Sequence, residues 1–279
     1  MPEPLKVRNK EFVWEKGPYF MGILNVTPDS FSDGGKFVEV EQAVKRVEEL
    51  ISEGADIIDI GGESTRPFSD RVPEEEELKR VIPVIKAVRE RFPQVIISID
   101  TYKSRVAEEA IKAGADIVND ISALRFDPKM VDVVREYGTP VVIMHMKGEP
   151  KTMQLNPEYE DVVKEVYEFL KKRMEFLVEN GVSFDKIIID PGIGFGKKFE
   201  HNITLLKNLH KFKDLDRPIL LGHSRKSFIG EIIGKEPFQR DGGTVGVSIF
   251  AVLKGVHILR VHNVGINKDA IATFKALNN

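Results

Sequence analysis

The stretch Lys186-Ile-Ile-Ile-Asp-Pro-Gly-Ile-Gly-Phe-Gly-Lys197 joins a short apolar run to a glycine-rich loop. The three isoleucines at 187–189 predict a strand that is buried on both faces of a parallel sheet. Asp190 ends the run with a charge that is costly to bury without a partner. Pro191 cannot donate to a strand ladder, and the glycines after it let the backbone lie close to a ligand. The stretch therefore predicts a carboxylate at the carboxyl end of a core strand, beneath a glycine-rich loop.

The same order of apolar run, polar residue and helical segment recurs along the chain. Runs typical of buried strands cover residues 19–24, 55–60, 95–99, 116–118, 140–144, 187–189, 218–221 and 257–261. Eight such βα units in ~250 residues predict an α/β fold, a single (β/α)8 TIM barrel that occupies residues 1–279 as one domain. A doubly wound open sheet is the main alternative, although no dinucleotide fingerprint follows the first strand. Alternating polarity around Asn9-Lys10 predicts a small N-terminal β-hairpin within residues 1–17, outside the repeat.

Composition limits the classes of function. The formal net charge of −3 gives no broad basic field for nucleic acid. No apolar run approaches the ~20 residues that cross a bilayer, so we expect no membrane partner. The polar residues 1–16 lack the apolar segment of a signal peptide. The absence of cysteine excludes disulfides and thiolate chemistry, and it favours a cytoplasmic location.

Every predicted strand is followed by a polar side chain, and a barrel would gather these side chains at one mouth. In chain order they are Asn25, Glu63 with Thr65, Asp100, Asn119, His145, Asp190, Ser224 with Lys226, and Arg260 with His262. The cations and hydroxyls after strands seven and eight predict an anion site. Asp100 and Asp190 suit the N–H edges of a heterocycle or a developing cation. Ser224 does not lie in the Gly-x-Ser-x-Gly motif of a hydrolase, and no other nucleophile–base pair is recognisable.

These strand ends lie in motifs that closely resemble those of the dihydropteroate synthases, a folate-pathway family. The motifs occur in the family's order over nearly the whole chain after residue 18. They are Met21-Gly-Ile-Leu-Asn-Val-Thr-Pro-Asp-Ser-Phe-Ser-Asp-Gly-Gly35, Gly61-Gly-Glu-Ser-Thr-Arg-Pro67, Ser98-Ile-Asp-Thr101, Val118-Asn-Asp120, Met144-His-Met146, Asp190-Pro-Gly-Ile-Gly-Phe-Gly-Lys197, Ser224-Arg-Lys-Ser227 and Arg260-Val-His262.

The resemblance implies condensation of 6-hydroxymethyl-7,8-dihydropterin diphosphate with 4-aminobenzoate, which yields 7,8-dihydropteroate and diphosphate. It implies a pterin site formed by Asp100, Asn119, Met144, Asp190, Phe195 and Lys226. It implies a diphosphate site formed by Asn25, Thr65, Arg260 and His262. It implies an aminobenzoate pocket formed by Phe31, Arg66, Pro67 and Ser224. Asp100, Lys226 and Asn25 would be catalytic, and Asn25 would also bind the implied cofactor, Mg²⁺. A homodimer and sensitivity to sulfonamides are implied as well.

The chemistry of that reaction agrees with the missing nucleophile. An aromatic amine is neutral at pH 7 and attacks without a strong base, while a diphosphate that is neutralised by Mg²⁺ and basic groups leaves readily. We therefore expect a dissociative substitution in which positioning and electrostatics provide the catalysis.

Three positions depart from the family's pattern. Asn263 stands where aspartate is usual, His223 where a smaller or less polar residue is commoner, and residues Phe68 to Val72 form a less typical second loop. The nearest rival function is a methyltetrahydrofolate-binding methyltransferase domain, which would share the pterin residues but not Ser224-Arg-Lys-Ser227. A pterin-binding protein without catalytic activity is a third alternative.

Overall fold

The structure, a computed structural model, describes residues 2–26, 36–64 and 69–278, with the side chains of residues 36–38 excepted. Within these ranges the strands are β1 (Leu5–Val7), β2 (Lys10–Phe12), β3 (Tyr19–Asn25), β4 (Ile57–Gly61), β5 (Ile96–Asp100), β6 (Ile117–Asp120), β7 (Val141–Met144), β8 (Ile187–Asp190), β9 (Leu220–Leu221) and β10 (Ile258–Val261). The helices are α1 (Lys36–Glu53), α2 (Glu74–Arg91), α3 (Ser104–Ala113), α4 (Met130–Tyr137), α5 (Val162–Glu179), α6 (Phe199–Lys207), α7 (Ser227–Ile233), α8 (Asp241–Leu253) and α9 (Val264–Asn278).

The sheet from β3 to β10 closes into a barrel. Its strands pair in parallel in the order β8-β7-β6-β5-β4-β3-β10-β9. A parallel bridge between Ile189 and Ile219 then joins the two outer strands, and the Ile189 N–H donates to the carbonyl of Pro218 at 2.9 Å. The predicted barrel is confirmed, and the open sheet is excluded because its outer strands would not meet. The carboxyl ends of all eight strands therefore lie at one end of the barrel, the mouth.

Side chains along each strand alternate between the barrel interior and the surrounding helices. In β4, Ile58 and Ile60 belong to the large core formed with the helices, whereas Ile57 belongs to a second cluster inside the barrel. Asp59 is fully buried and lies on the same side of the strand as Ile57. Its carboxylate is therefore inside the barrel, below the mouth.

The predicted N-terminal hairpin is confirmed, and it covers the end of the barrel opposite the mouth. Strands β1 and β2 pair antiparallel. Leu5, Phe12 and Trp14 pack against the first interior residues of the barrel strands. Those residues are Met21, Ile57, Ile96, Ile117, Val142, Ile188, Leu220 and Ile258. Because this end is filled with apolar side chains, only the mouth remains for polar chemistry.

Helix boundaries differ from the sequence prediction in three places. The pair Asn156-Pro157 is typical of a helix N-terminus and predicts the cap of α5 there. Asp161 caps α5 instead, by accepting the N–H groups of Val163 and Lys164, so that prediction is wrong. The run from Asn202 to Lys211 predicts a single helix, but the structure divides this region into α6 and a 3₁₀ segment, Leu209–Leu215. Helix α7 was not predicted, since seven residues are too few to show a helical period.

Among the described residues, no helix combines the length and the apolar character that a membrane span needs.

Candidate active site

Strand pairing brings five of the predicted site residues to the mouth. Asp100 of β5 is aligned with Asn119 of β6. Met144 of β7 is aligned with Asp190 of β8. Asn25 ends β3, which is two strands from β5 in the sheet. A ligand in the mouth can consequently contact side chains from several strands at once.

Arg260 joins the polar groups on one side of the mouth. Its Nε donates to Asp59 Oδ2 at 2.6 Å, and its Nη2 donates to Asp100 Oδ2 at 2.7 Å. Asn119 Nδ2 donates to the same Asp59 oxygen at 3.1 Å. The family resemblance implies that Arg260 binds a diphosphate, whereas here its guanidinium is engaged with two carboxylates. Asp59 therefore orients both Arg260 and Asn119.

The charges in this network change one another's pKa values. Burial raises the pKa of Asp100 to about 7, the positive charge of Arg260 opposes that rise, and the negative charge of Asp59 adds to it. Burial by itself would lower the pKa of Arg260, but Asp59 and Asp100 together raise it above its ordinary value. Arg260 therefore stays protonated, and its positive charge favours the ionised form of Asp100 against the effect of burial.

A second cluster of polar side chains surrounds Asp190. The Oδ1 atom of Asp190 accepts the Gly192 N–H at 2.7 Å. Lys226 Nζ donates to the carbonyl of Ile193 and lies 4.4 Å from the centroid of the Phe195 ring. Burial raises the pKa of Asp190, against the charge of Lys226, and burial lowers the pKa of Lys226 to about 7, against the charge of Asp190. The glycine-rich loop thus lies between a carboxylate and an amine.

An apolar cluster adjoins these charges. Met144 is buried in it, and Phe195 packs against it. Its buried members are Tyr102, Ile121, Met144, Met146 and Met153. The mouth therefore combines flat apolar walls with hydrogen-bonding groups at its base, an arrangement suited to a planar heterocycle.

Ser224 and His262, which sequence analysis assigned to neighbouring substrates, contact each other. His262 Nδ1 lies 2.9 Å from Ser224 Oγ, which also accepts the His262 N–H at 3.2 Å. Asn263, the first departure from the family pattern, donates from Nδ2 to Asp241 Oδ2 at 3.2 Å, and Asp241 forms a two-pronged ion pair with Arg225. Asn263 therefore supports the loop after β9.

His223, the second departure, is part of the scaffold. It is fully buried, and its Nε2 lies 2.7 Å from Ser248 Oγ and 3.2 Å from the Thr244 carbonyl. Ser248 Oγ donates in turn to Asn267 Oδ1 at 2.6 Å. Burial lowers the pKa of His223 to about 4. A neutral imidazole thus connects β9 to α8 and α9.

Several predicted residues lie outside the described ranges. They are Phe31, Thr65, Arg66, Pro67 and Phe68. Their assignments stay predictions, as do the roles of the predicted site residues that the structure does describe.

Two buried side chains at this end of the barrel escaped sequence analysis. Asp59 is a charge inside the apolar run Ile57-Ile-Asp-Ile60, and that position was its only signal. Lys197 is buried and donates to atoms of the loops after β7 and β8. The local sequence does not predict the burial of Lys197, because a lysine at the end of a glycine-rich loop is normally solvated.

Comparison with known proteins identifies the family. Residues 21–262 match the family model described as pterin binding enzyme. The chain is 48% identical over 262 residues to the dihydropteroate synthase of Haemophilus influenzae, with 94% of each chain covered.

Solved structures agree with that match. The Yersinia pestis dihydropteroate synthase in a sulfonamide drug complex superposes with a TM-score of 0.93 at 41% identity, with 99% of each chain covered. The Xanthomonas albilineans enzyme with 4-aminobenzoic acid gives a TM-score of 0.92 at 43% identity, covering 100% of this chain and 99% of the other. The Xanthomonas enzyme with 7,8-dihydropteroate gives 0.89 at 42% identity, with 99% of each chain covered. On these matches, the chain belongs to the pterin binding enzyme family, among its dihydropteroate synthases.

Proposed function

We propose that this protein joins 6-hydroxymethyl-7,8-dihydropterin diphosphate to 4-aminobenzoate, releasing diphosphate and forming 7,8-dihydropteroate for folate biosynthesis. The observation that carries the proposal is one barrel mouth with two buried carboxylates, Asp100 and Asp190, beside the apolar walls Met144 and Phe195. The Xanthomonas relative forms complexes with 4-aminobenzoic acid and with 7,8-dihydropteroate, which are the proposed acceptor and product.

The polar groups around the slot, the space between Met144 and Phe195 at the mouth, suit the donor edge of a pterin. Asp190 Oδ1 is engaged by the Gly192 N–H, and its second oxygen would accept from the pterin amino and ring N–H groups. Asn119 uses its amide Nδ2 to donate to Asp59, so its Oδ1 is the atom offered to the ligand. Lys226 supplies a donor to the acceptor atoms of the heterocycle, between Phe195 and the strand ends. Each acceptor of the site would thereby meet a donor of the pterin, and the Lys226 donor would meet a pterin acceptor.

The reaction is a substitution at the exocyclic methylene carbon of the pterin. The C–O bond breaks, and diphosphate leaves with the electron pair. The aromatic amine uses its lone pair to form the new C–N bond, and it then loses one proton to solvent. Asp100 stabilises the positive charge that develops on the pterin when that carboxyl is ionised, and Arg260 fixes its position. With pKa raised to about 7, Asp100 gains its charge as the pH rises through neutrality.

The diphosphate subsite and Mg²⁺ are part of the same proposal. The described ranges contain no cluster of three or more His, Cys, Asp or Glu side chains that could hold a metal ion. Asn25 offers one amide oxygen at the end of β3, which fits a Mg²⁺ ion whose other ligands are water and phosphate oxygens. When bound, the ion would neutralise the leaving diphosphate. His262, held by Ser224, would bind the anion beside it.

The homodimer remains a prediction that surface composition supports. Large apolar side chains are exposed on helices α7 and α8 and on the turn between them: Ile232 is 57% exposed, Leu253 58% and Phe238 72%. Helix α8 packs on both α7 and α9, so these helices form one side of the barrel. A second copy of the chain would cover this surface, which sedimentation at several protein concentrations can test. The cytoplasmic location expected from the cysteine-free sequence stays a prediction.

One assay distinguishes the proposal from its alternatives. Purified protein is incubated with Mg²⁺, the pterin diphosphate and 4-aminobenzoate, and both products are quantified. The proposal expects dihydropteroate and diphosphate in equal amounts, and inhibition by a sulfonamide that competes with aminobenzoate. A methyltetrahydrofolate-binding domain would release no diphosphate, and a non-catalytic pterin-binding protein would bind the pterin without turnover. Either result would overturn the proposal.

A further inference from the structure

Lys197, at the end of the glycine-rich loop, is buried in an unusual environment. Its side chain is only 2% exposed. Its Nζ lies 2.8 Å from His145 Nδ1, 3.0 Å from the Phe195 carbonyl and 3.4 Å from the His145 carbonyl. The two carbonyl oxygens are acceptors, and Nδ1 of a neutral imidazole can accept a third hydrogen bond, so the amine is surrounded by as many as three acceptors. Burial lowers the pKa of Lys197 well below its ordinary value, so keeping this side chain here costs free energy.

His145 is the imidazole partner of Lys197 in this contact. It follows Met144 directly and is 5% exposed. Burial lowers its pKa well below the usual range, and the neighbouring charge of Lys197 lowers it further. Because Nδ1 faces the lysine donor, the ring proton belongs on Nε2. The ring packs edge-on against Phe169, with centroids 4.8 Å apart, which limits its rotation.

The contact joins the loops after β7 and β8. The His145 N–H also donates to the Asp190 carbonyl at 3.0 Å. A Cβ atom at Gly192 would lie 1.9 Å from the His145 carbonyl oxygen, and one at Gly196 would lie 2.2 Å from the Lys147 carbonyl oxygen. Both glycines have positive φ, 70° and 62°. The two backbones thus approach each other too closely for any side chain to intervene.

The loop carries Phe195, one of the two apolar walls of the slot. Lys226 contacts the loop from the substrate side, through the Ile193 carbonyl and the Phe195 ring. Lys197 binds the Phe195 carbonyl from the protein side. The wall residue is therefore held between two amines, of which only Lys226 borders the slot.

We propose that Lys197 and His145 form a buried brace that fixes the separation of Met144 and Phe195, and with it the width of the pterin slot. This inference rests on the proposed function, because it assigns a role in pterin binding. Lys197 is a positioning residue: it contacts the backbone of the wall and the imidazole of the neighbouring loop, and it does not contact the substrate.

The first test compares Lys197→Met with Lys207→Met, a control on the exposed face of α6. Methionine fills similar space but has no donor for the three acceptors. We expect Lys197→Met to weaken binding of the pterin diphosphate about 10-fold or more. The KM for that substrate should rise in proportion, while the KM for aminobenzoate changes less than 2-fold. Lys207→Met should match the unmodified protein in its affinity for the pterin diphosphate and in its KM values for both substrates.

The second test separates positioning from a general loss of packing. Gln at position 145 can still accept from Lys197 through its side-chain oxygen, whereas Leu cannot. We expect His145→Gln to retain more pterin affinity than His145→Leu when both variants are folded. In the unmodified protein, ¹⁵N NMR should show His145 protonated on Nε2 and unprotonated on Nδ1.

The outcomes distinguish the two proposals. If the unmodified protein binds no pterin, the proposed function fails. If it binds pterin and Lys197→Met binds equally well, the brace is wrong. If Lys197→Met raises both KM values equally, its role is general packing and the positioning proposal is rejected. A His145 ring protonated on Nδ1 would contradict the brace even if every variant failed to fold.

Discussion

Asp59→Asn tests whether the buried carboxylate inside the barrel controls Asp100. Asp59 is fully buried, and one of its oxygens accepts from both Arg260 and Asn119, at 2.6 Å and 3.1 Å. An asparagine oxygen at that point would keep both hydrogen bonds, and its amide would replace Oδ1, which has no hydrogen-bond partner among the described residues. The change therefore removes a charge and leaves the geometry nearly intact.

The magnitude follows from those contacts. Hydrogen bonds to charged groups contribute about 1.5–3 kcal/mol and neutral ones about 1, so removing the charge from the acceptor of Arg260 should cost about 0.5–2 kcal/mol of unfolding free energy. Asp59→Ala removes the acceptor altogether and leaves Arg260 with Asp100 alone, which should cost about 3–5 kcal/mol. Ser98→Ala is the matched control: Ser98 pairs with Asp59 across the strands, and its buried Oγ has no hydrogen-bond partner among the described residues. Ser98→Ala should lower the free energy of unfolding less than either Asp59→Asn or Asp59→Ala.

The electrostatic consequence has a definite sign. The negative charge of Asp59 contributes to raising the pKa of Asp100 to about 7, so its removal should lower that pKa. If ionised Asp100 is the active form, the acidic limb of the profile of kcat/KM for the pterin diphosphate against pH should move to lower pH in Asp59→Asn. The assay is initial-rate kinetics from pH 5 to pH 8, together with denaturant unfolding. An unchanged limb, or one that moves to higher pH, would refute the coupling. Full stability in Asp59→Ala would refute the structural role.

Three further predictions concern other groups. Asp190→Asn can keep the bond from the Gly192 N–H but turns a donor toward the pterin, so pterin affinity should fall about 10-fold with little change in Tm; calorimetry with unchanged affinity would reject the assignment. Burial lowers the pKa of His223 to about 4. The contribution of its neutral imidazole to the free energy of unfolding is therefore complete above pH 6.5 and is lost as the pH falls toward 4. The unfolding free energy of the protein relative to His223→Gln should therefore decrease by about 3 kcal/mol between pH 7 and pH 4, and a constant difference would contradict the shift. Mg²⁺ should bind weakly until diphosphate is added, with Asn25→Ala reducing the diphosphate-dependent binding, and tight stoichiometric binding to the protein alone would be evidence against a phosphate-held ion.

Much of the fold could be predicted from local pattern. Runs such as Ile187 to Ile189 are apolar on both faces, and only a parallel sheet covered on both sides buries them. The recurrence of these runs predicts eight strands, and the parallel arrangement places their polar ends at one mouth. Helix α7 and the cap at Asp161 were missed, because a seven-residue helix shows no clear period and because Asn156 and Asp161 are both good caps.

By itself, the sequence determined the barrel, the N-terminal hairpin and most of the polar strand ends that meet at the mouth, whereas the place of the hairpin at the closed end came from the structure. Only the tertiary structure decided which of those groups are partners. Arg260 and Asp59 are 201 residues apart in the chain, yet barrel closure brings them within 2.6 Å. Lys197 and His145 meet across 52 residues because β7 and β8 are paired, which places their loops side by side. Local sequence reports the conformational preference of a few neighbouring residues, whereas these partnerships depend on sheet register and barrel closure, which form only when the whole chain has folded.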